Sequence, residues 1–462
     1  MLPISPLDSG EKVPLFRQLH ARMRDLIQTG TLAKGTRLPA TRELAGQLGL
    51  NRTTVSAAYA LLESDGLIAG HVGRGSFVTG GVPASFSRSR PSELLFPLEE
   101  FRKTCSEVIA SDEAASILQL GAPAGYPGLR RYLLEQARAE GTASESDDIL
   151  ISSGCQQAFD LIQRTIGQGA TVAIEDPVYL GVRSVFERAG ARLLGVPMGP
   201  DGIDLENLER MIDRERPRLL CVTPNFQNPT GATMPLAARQ ALLRITRSAG
   251  VIVIENDIYG PLCYEGEAIP AIKSLDETGD TILLRSFSKV AFPGLRVGWV
   301  IARRALIEKL TEAKQWSDLH TDQLSQAVLL RFAESGRLER HRQRMLVAGR
   351  DRLHAALEAC EKYLPPGAKH TRPRGGMSLW IELPGMLDAG ELLARAEREG
   401  VTYLPGRYFA VSRPQPNGLR ISFAGMTPEE IRSGLRVLGR IFQSELERAR
   451  EHAPLIESAA LV

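Results

Sequence analysis

The 462-residue chain reads as two unlike parts in series. A small, mostly helical N-terminal unit ends in a two-stranded wing. A large α/β domain follows, with a mainly parallel sheet and a smaller C-terminal α/β subdomain. Three observations lead there. Within the first eighty positions apolar residues recur at helical spacing and then alternate around glycines. From about Leu94 onward, short β-branched or leucine-rich runs alternate with helical stretches, as in a parallel sheet covered on both faces. Between them lies Thr79–Glu93, TGGVPASFSRSRPSE, rich in Gly, Ser, Pro and Arg and without apolar periodicity. It reads as a flexible linker.

In the first part, Leu15–Thr29 (LFRQLHARMRDLIQT) carries apolar residues at 15, 16, 19, 23, 26 and 27, one helical stripe. In LPATRELAGQLGLNRTTVSAAYALLESDGLI, Thr41 is placed to cap a helix running to about Leu48, and Gly49 breaks it. Asn51 or Arg52 opens the next helix, with Val55, Ala58, Tyr59 and Leu62 facing inward. Two short helices about a Gly-containing turn make a helix-turn-helix, and GLIAGHVGRGSFV then forms a wing. In such a unit the second helix enters the major groove of double-stranded DNA. Arg52, Thr53 and Thr54 would face base edges and phosphates, while Arg37, Thr41, Arg42 and the wing-tip Arg74 complete the DNA-binding set. Charge agrees in sign. Residues 1–80 hold nine Lys or Arg against six Asp or Glu, a surplus of +3, while the remainder carries −1.

In the second part, TVAIED, RLLGVPM, RLLCVTP, VIVIEND and TILLRSFS are the expected strands. Ligands of such sheets collect at the carboxyl ends of the strands, which here carry Asn228 in NFQNPTGAT, Asp257 and Tyr259 in ENDIYG, and Lys289 in RSFSKVAFPGLRVGW. ILISSGCQQAFDLI passes from a strand through Gly154 into a helix whose first amides, at Cys155 and Gln156, suit an anion. A carboxylate, a phenol, an amide, an amine and an anion cradle at one crevice are what pyridoxal 5′-phosphate requires. Lys289 would form the Schiff base. Asp257 would pair with the pyridine nitrogen and keep it protonated, making the ring an electron sink. Asn228 and Tyr259 would donate to the phenolic oxygen. Ser286, Ser288 and Arg296 would hold the phosphate, and Tyr179 of EDPVYLG would stack on the ring. No metal site is expected. Five scattered cysteines without a C-x-x-C pair argue against a zinc ribbon and fit a reducing cytoplasm. No apolar run of membrane-spanning length or signal-peptide pattern is found, so the expected location is cytoplasmic.

The string over residues 12–79 closely resembles the winged helix of GntR-type bacterial transcription regulators. NPTG, ENDIYG, SFSK and PGLRVGW, in that order, resemble fold-type I aminotransferases over about residues 95–450. In NGLRISFA, Arg420 stands where that family grips a substrate α-carboxylate, and GGMSLWIEL is similar to its small-domain strand. The fusion resembles the MocR-type regulators. That implies a winged helix-turn-helix over 1–78, a linker over 79–93 and an aminotransferase-like domain over 94–462. The large subdomain would span about 150–315 and the small one about 94–145 and 316–450. The resemblance also implies a homodimer that regulates genes in response to the cofactor or to an amine or amino acid forming an external aldimine, with Arg420 reading an effector carboxylate. The chain departs from the family at LGAPAGYPGLR, where Leu120 and Ala122 replace a Tyr and an Asp, the Tyr serving the neighbouring subunit's phosphate site. Two other readings stay open: a working aminotransferase with an incidental N-terminal unit, and a regulator whose pocket is only scaffold.

Overall fold

The structure, a computed structural model, describes residues 2–4, 7–8, 10, 13–28, 31–33, 35–65, 67–71, 75–78 and 84–451. In the head, α1 (Leu15–Gln28), α2 (Thr41–Leu48) and α3 (Arg52–Ser64) precede an antiparallel wing of β1 (Ile68–His71) and β2 (Gly75–Val78). The inward stripe of α1, Leu19, Met23 and Ile27, shares one core with Leu44, Val55, Ala58, Tyr59, Leu62 and wing residues Ile68 and Val78. Gly49 ends α2 in the left-handed region, at φ 65. Asn51 caps α3, its side-chain oxygen accepting from the Thr53 amide at 3.0 Å. One expectation is corrected: Thr41 does not cap α2. It is the first helical residue, and Ala40, which has no side-chain oxygen, occupies the cap position.

The span read as a linker behaves differently from a tether over its described part. β3 (Ala84–Ser85) pairs in parallel with Val401–Thr402 of the C-terminal subdomain, and the Phe86 amide donates to the Thr402 carbonyl at 2.8 Å. The Phe86 ring is wholly buried, packed where a Cβ on Gly434 would lie 2.7 Å from Cε2. Gly434 therefore makes room for the ring. Pro91 and Ser92 are buried as well. One aromatic and two alternating small residues suffice for this docking, a signal too short to register as periodicity.

Three helices follow: α4 (Leu98–Ile109) and α5 (Ala114–Ile117), whose Val108 and Ile117 pack with Ala327 and Val328 of the helix Gln323–Glu334, and α6 (Pro127–Ala139), which lies against the first strand of the large sheet. The large sheet is built from β4 (Asp147–Ser152), β5 (Thr171–Asp176), β6 (Arg192–Gly199), β7 (Gly202–Ile203), β8 (Leu219–Val222), β9 (Ile252–Asn256), β10 (Ile282–Ser286) and β11 (Gly298–Arg303). Its order is β4-β11-β10-β9-β8-β5-β6-β7. β10, β9, β8, β5 and β6 run parallel, while β11 and the short β7 are antiparallel to their neighbours. All five expected strands are present.

The two faces of this sheet differ in what covers them. Ile174, Cys221, Ile254, Ile282 and Leu284 pack with Ala158, Phe159, Leu161 and Ile162 of α7 (Cys155–Ile162). Ala173, Leu220, Val222 and Val253 pack instead with Leu208, Ile212 and Leu242 from the helices Leu205–Glu215 and Leu236–Ser248. Because side chains alternate along a strand, the parity of a residue number assigns each strand-end group to a face. A smaller sheet includes Ser378–Glu382 and Gly418–Ser422, an antiparallel pair with Trp380 opposite Arg420. Among the described residues no helix is long and apolar enough to cross a membrane.

Truncating a fully buried phenylalanine costs about 3–5 kcal/mol. Phe86→Ala should therefore lower the stability of the large domain by about that amount in urea denaturation. A loss below about 1 kcal/mol would show that residues 84–86 are not built into the domain.

Candidate functional site

At the carboxyl ends of the parallel strands lies a cleft of about 780 Å³. Its floor and walls include Cys155, Gln156, Tyr179, Asn228, Ser286, Ser288, Lys289, Arg296 and Arg420, so nine residues singled out in the sequence meet in one place. The cleft adjoins the first turn of α7. Gly154 precedes that turn at φ 80, and a Cβ there would sit 2.3 Å from Nη2 of Arg296. Only glycine lets the guanidinium close over the helix start. Arg296 itself adopts φ 55 and donates to the Ser153 carbonyl at 3.2 Å and to Ser288 Oγ at 3.3 Å. Ser286 Oγ accepts from the Ser288 amide at 3.0 Å, tightening the turn that presents Lys289. A helix N-terminus, an arginine and a hydroxyl within one turn suit a phosphate dianion. Desolvation pushes the Cys155 thiol up to about 12, so the group beside this cradle remains neutral.

On the other wall the side chains form a chain of hydrogen bonds. Arg420 Nη1 donates to Asn228 Oδ1 at 3.0 Å, and Asn228 Nδ2 donates to the Tyr259 phenol oxygen at 3.3 Å. Arg420 is buried, its guanidinium lies 5.2 Å from the Phe409 ring centre, and its Nε has no partner among the described residues. Burial lowers its affinity for a proton, while Tyr259 and Tyr179 oppose that shift. Lys289 is half-buried, with Nζ 5.6 Å from the centre of the Tyr259 ring. Tyr179 is about half exposed on the cleft wall.

Two contacts had no signal in the sequence. Lys289 Nζ donates to the Ser89 carbonyl at 2.8 Å, and Arg420 Nη2 donates to the Ser87 carbonyl at 2.5 Å. Both acceptors belong to the segment that leaves the head, and both serines line the cleft.

Asp257 is the site residue the structure relocates. Its parity turns it to the face opposite α7. There Oδ1 accepts from Asn225 Nδ2 at 2.7 Å, and Oδ2 accepts from Arg285 Nε and Nη2 at 3.2 and 3.1 Å. It lines a separate cavity of about 490 Å³ with Glu140, Arg285 and Trp299. The expected pairing of Asp257 with a ring nitrogen in the cleft is therefore corrected. Its neighbour Asn256 points to the α7 face. Tyr126, near Leu120 and Ala122, gives its hydroxyl to Glu113 at 2.6 Å and is not a cleft residue, while the Leu120 side chain is exposed.

In the head, Arg37, Arg42, Arg52 and Thr53 are exposed, and Thr41 and Thr54 are half-buried. Arg52, Thr53 and Thr54 form the first turn of α3, the helix expected to meet the groove. Arg74 lies outside the described residues.

Residues 91–438 match the family model of class I and II aminotransferases, and residues 15–78 match that of bacterial regulatory proteins of the gntR family. The chain belongs to the class I and II aminotransferase family. Its head is a GntR-type helix-turn-helix unit, and the fusion of the two is the MocR-type arrangement. A 2-aminoadipate transaminase of Thermus thermophilus is 39% identical over 370 residues, 78% of this chain and 90% of that protein. The probable rhizopine catabolism regulatory protein MocR of Rhizobium meliloti is 29% identical over 476 residues, 94% of this chain and 95% of that protein. The solved α-aminoadipate aminotransferase LysN of Thermus thermophilus, complexed with N-(5′-phosphopyridoxyl)-L-leucine, is similar at TM-score 0.73 and 37% identity. It covers 79% of this chain and 93% of its own. The transaminase thus matches about the length of the aminotransferase-family domain, while the regulator spans nearly the whole MocR-type chain.

The loop bearing Asn228 is fixed from behind by Glu175, whose carboxylate accepts from the Thr223 amide at 2.8 Å and from Gln227 Nε2 at 3.1 Å. Burial raises Glu175 from 4.5 to about 8. Its folded-state value exceeds the unfolded one, so its stabilisation is complete below 4.5 and is lost as the pH rises through about 8. Urea midpoints should fall across that window in the wild type and less steeply in Glu175→Gln. Equal slopes would show that this carboxyl does not titrate there.

Proposed function

We propose that this protein is a ligand-responsive, DNA-binding transcription regulator whose cleft holds pyridoxal 5′-phosphate and reads the cofactor itself or an amine or amino acid that joins it. The observation that carries this reading is the capture of the head's own connecting segment by Lys289 and Arg420, through the carbonyls of Ser89 and Ser87. The amine suited to a ligand's aldehyde carbon and the guanidinium suited to its carboxylate oxygens are thereby bonded to the segment that leads to the DNA-binding unit.

The residues present fit the cofactor. The Gly154 turn that a Cβ would obstruct, the amides of Cys155 and Gln156, Arg296 and Ser288 suit its phosphate. Ser286 shapes that turn. Asn228 and Tyr259 supply polar atoms to its phenolic oxygen, Tyr179 offers a ring face at the cleft mouth, and Lys289 supplies the amine that holds its aldehyde. When bound, pyridoxal 5′-phosphate supplies an aldehyde that takes up amines and a ring that withdraws electrons from them.

The work of this chain is recognition. Arg420, with Nε free of partners, presents its fork to a carboxylate. A carboxylate brings an opposite charge and two oxygens to the fork, where Ser87 brings one neutral carbonyl, so a carboxylate displaces the Ser87 oxygen. Lys289 is engaged by the cofactor or released by a competing amine, and either event changes its contact with Ser89. Only residues 79–83 separate the wing strand β2 from β3, so loss of these contacts bears on the head. A ligand shifts the DNA-binding equilibrium only through such differential contacts. A DNA reader works where the DNA is, in the cytoplasm, and the two-fold symmetry of operators matches a homodimer.

A second reading, a working aminotransferase, is favoured by the 39% identity to a transaminase. Steady turnover of an amino acid with a keto acid at about 1 s⁻¹ or faster would establish it.

Footprinting on the DNA upstream of the protein's own gene, with and without pyridoxal 5′-phosphate and candidate amines, tests the main reading. Protection should be salt-sensitive, weakened by Arg52→Ala, and altered about 5- to 150-fold in affinity by ligand. Lys289→Ala should remove both the visible absorbance of the cofactor-loaded protein and the ligand effect. Protection that ignores every vitamer and amine, or a response intact in Lys289→Ala, would defeat the mechanism.

A further inference from the structure

The last residue of β9, one of the strands whose carboxyl ends carry the cleft, is a polar group outside the expected site set. Asn256 is 7% exposed, and its Oδ1 is buried without a hydrogen-bond partner among the described residues. Leaving a buried carbonyl oxygen unpaired costs about 1–3 kcal/mol, so such an atom points to a ligand that completes it. Its face is fixed by alternation: Ile254 packs against α7, so Asn256 shares that side, while Glu255 and Asp257 are on the other. The cross-strand register places Asn256 beside Leu284, two residues before Ser286 on the same face and five before Lys289. Asn256 Nδ2 donates to Thr223 Oγ1 at 3.3 Å, which holds the amide in place.

Charge around this position runs one way. Lys289, Arg296 and Arg420 are cations of the cleft. Asp176, at the end of β5 on the same face, already accepts from the amides of Val411, Ser412 and Arg413. Glu255 accepts from the amides of Ile272 and Lys273 on the far face, and Asp257 is bonded to Arg285 there. The strand end therefore offers the α7 face an amide and no carboxylate.

We propose that Asn256, and not Asp257, is the contact of this chain for the cofactor's ring nitrogen, and that its neutral amide leaves that nitrogen unprotonated. This rests on the reading that the cleft holds pyridoxal 5′-phosphate. An amide pairs with a ring nitrogen in either state: Oδ1 accepts from a protonated nitrogen, or, after a flip that turns Oδ1 to the Thr223 hydroxyl, Nδ2 donates to an unprotonated one. It brings no negative charge to favour the protonated form, and burial beside three cations disfavours it. An unprotonated ring withdraws electrons weakly. The cleft then keeps an amino-acid ligand in place without driving its conversion, which suits a sensor.

The test loads the full-length protein with pyridoxal 5′-phosphate labelled with ¹⁵N in the ring and reads the nitrogen shift by NMR alongside cofactor affinity. In the wild type the shift should be that of an unprotonated pyridine. Asn256→Asp should move it to the protonated value and speed single-turnover consumption of a bound amino acid. Asn256→Ala, or Asn256→Ser where alanine does not fold, should weaken cofactor binding about tenfold. A protonated nitrogen in the wild type, with shift and affinity unchanged in Asn256→Ala and Asn256→Ser, would overturn this assignment alone. A wild type that takes up no cofactor would overturn the underlying reading together with it.

Discussion

Two cations that line one cleft need acceptors, and here the chain provides them from its own backbone. Lys289 and Arg420 come from distant segments, one at the end of a sheet strand and the other from the small subdomain. Each reaches a carbonyl in the same stretch, at Ser89 and Ser87. The stretch is held at its start by β3 and by the Phe86 ring under Gly434. The contacts therefore act on a segment of defined position, separated from the wing strand in sequence by residues 79–83 alone. Coupling between sites requires an element with two arrangements that both sites bias. The segment 84–90 has the contacts for that role under the function proposed above.

Much of this architecture was legible in the sequence because it follows from periodicity. The helical stripe at Leu19, Met23 and Ile27 and the turn at Gly49 specify the head. Five short apolar runs specify the parallel strands of the sheet. The cleft residues were found because ligand-bearing groups collect at strand ends, and nine of them do converge. What failed was finer than the element. Thr41 and Ala40 differ by one position at a helix start, where boundary and cap depend on backbone geometry. Residues 84–93 show no repeat because a two-residue strand and one buried ring are enough to anchor them.

Asp257 shows a different kind of limit. Carboxylate chemistry favoured it, and a strand end was the right place to look. Yet neighbouring residues of a strand face opposite ways, so the choice between 256 and 257 depends on which face carries α7. That is a tertiary fact, read only once Ile254 is seen to pack with Phe159 and Val253 with Leu242. Counting back by two from the cleft residue Ile258 reaches Asn256, which raises the question without settling it. On its actual face Asp257 joins a buried network. Arg285 spans it and Glu140, and Asn225 links it to Arg239, which also holds the carbonyls of Pro224, Met234 and Pro270. Removing one partner from such a set leaves an unpaired buried charge, so its role is to fix the loops that carry Asn225 and Asn228.

A catalyst and a sensor ask opposite things of the same crevice. Turnover rewards groups that bind the transition state better than the ground state, and a protonated, electron-poor ring is the main such feature this chemistry has. A sensor gains nothing from consuming what it detects. It needs instead that the bound ligand differ in contact energy from the chain's own placeholder. In this cleft the proposed differences concentrate on recognition: a fork that prefers a carboxylate to the Ser87 carbonyl, and an amine that exchanges partners at Ser89. The position best suited to driving conversion holds an amide. The phosphate cradle, the lysine and the arginine serve both tasks, and under the assignment proposed above only the group at the ring nitrogen distinguishes them.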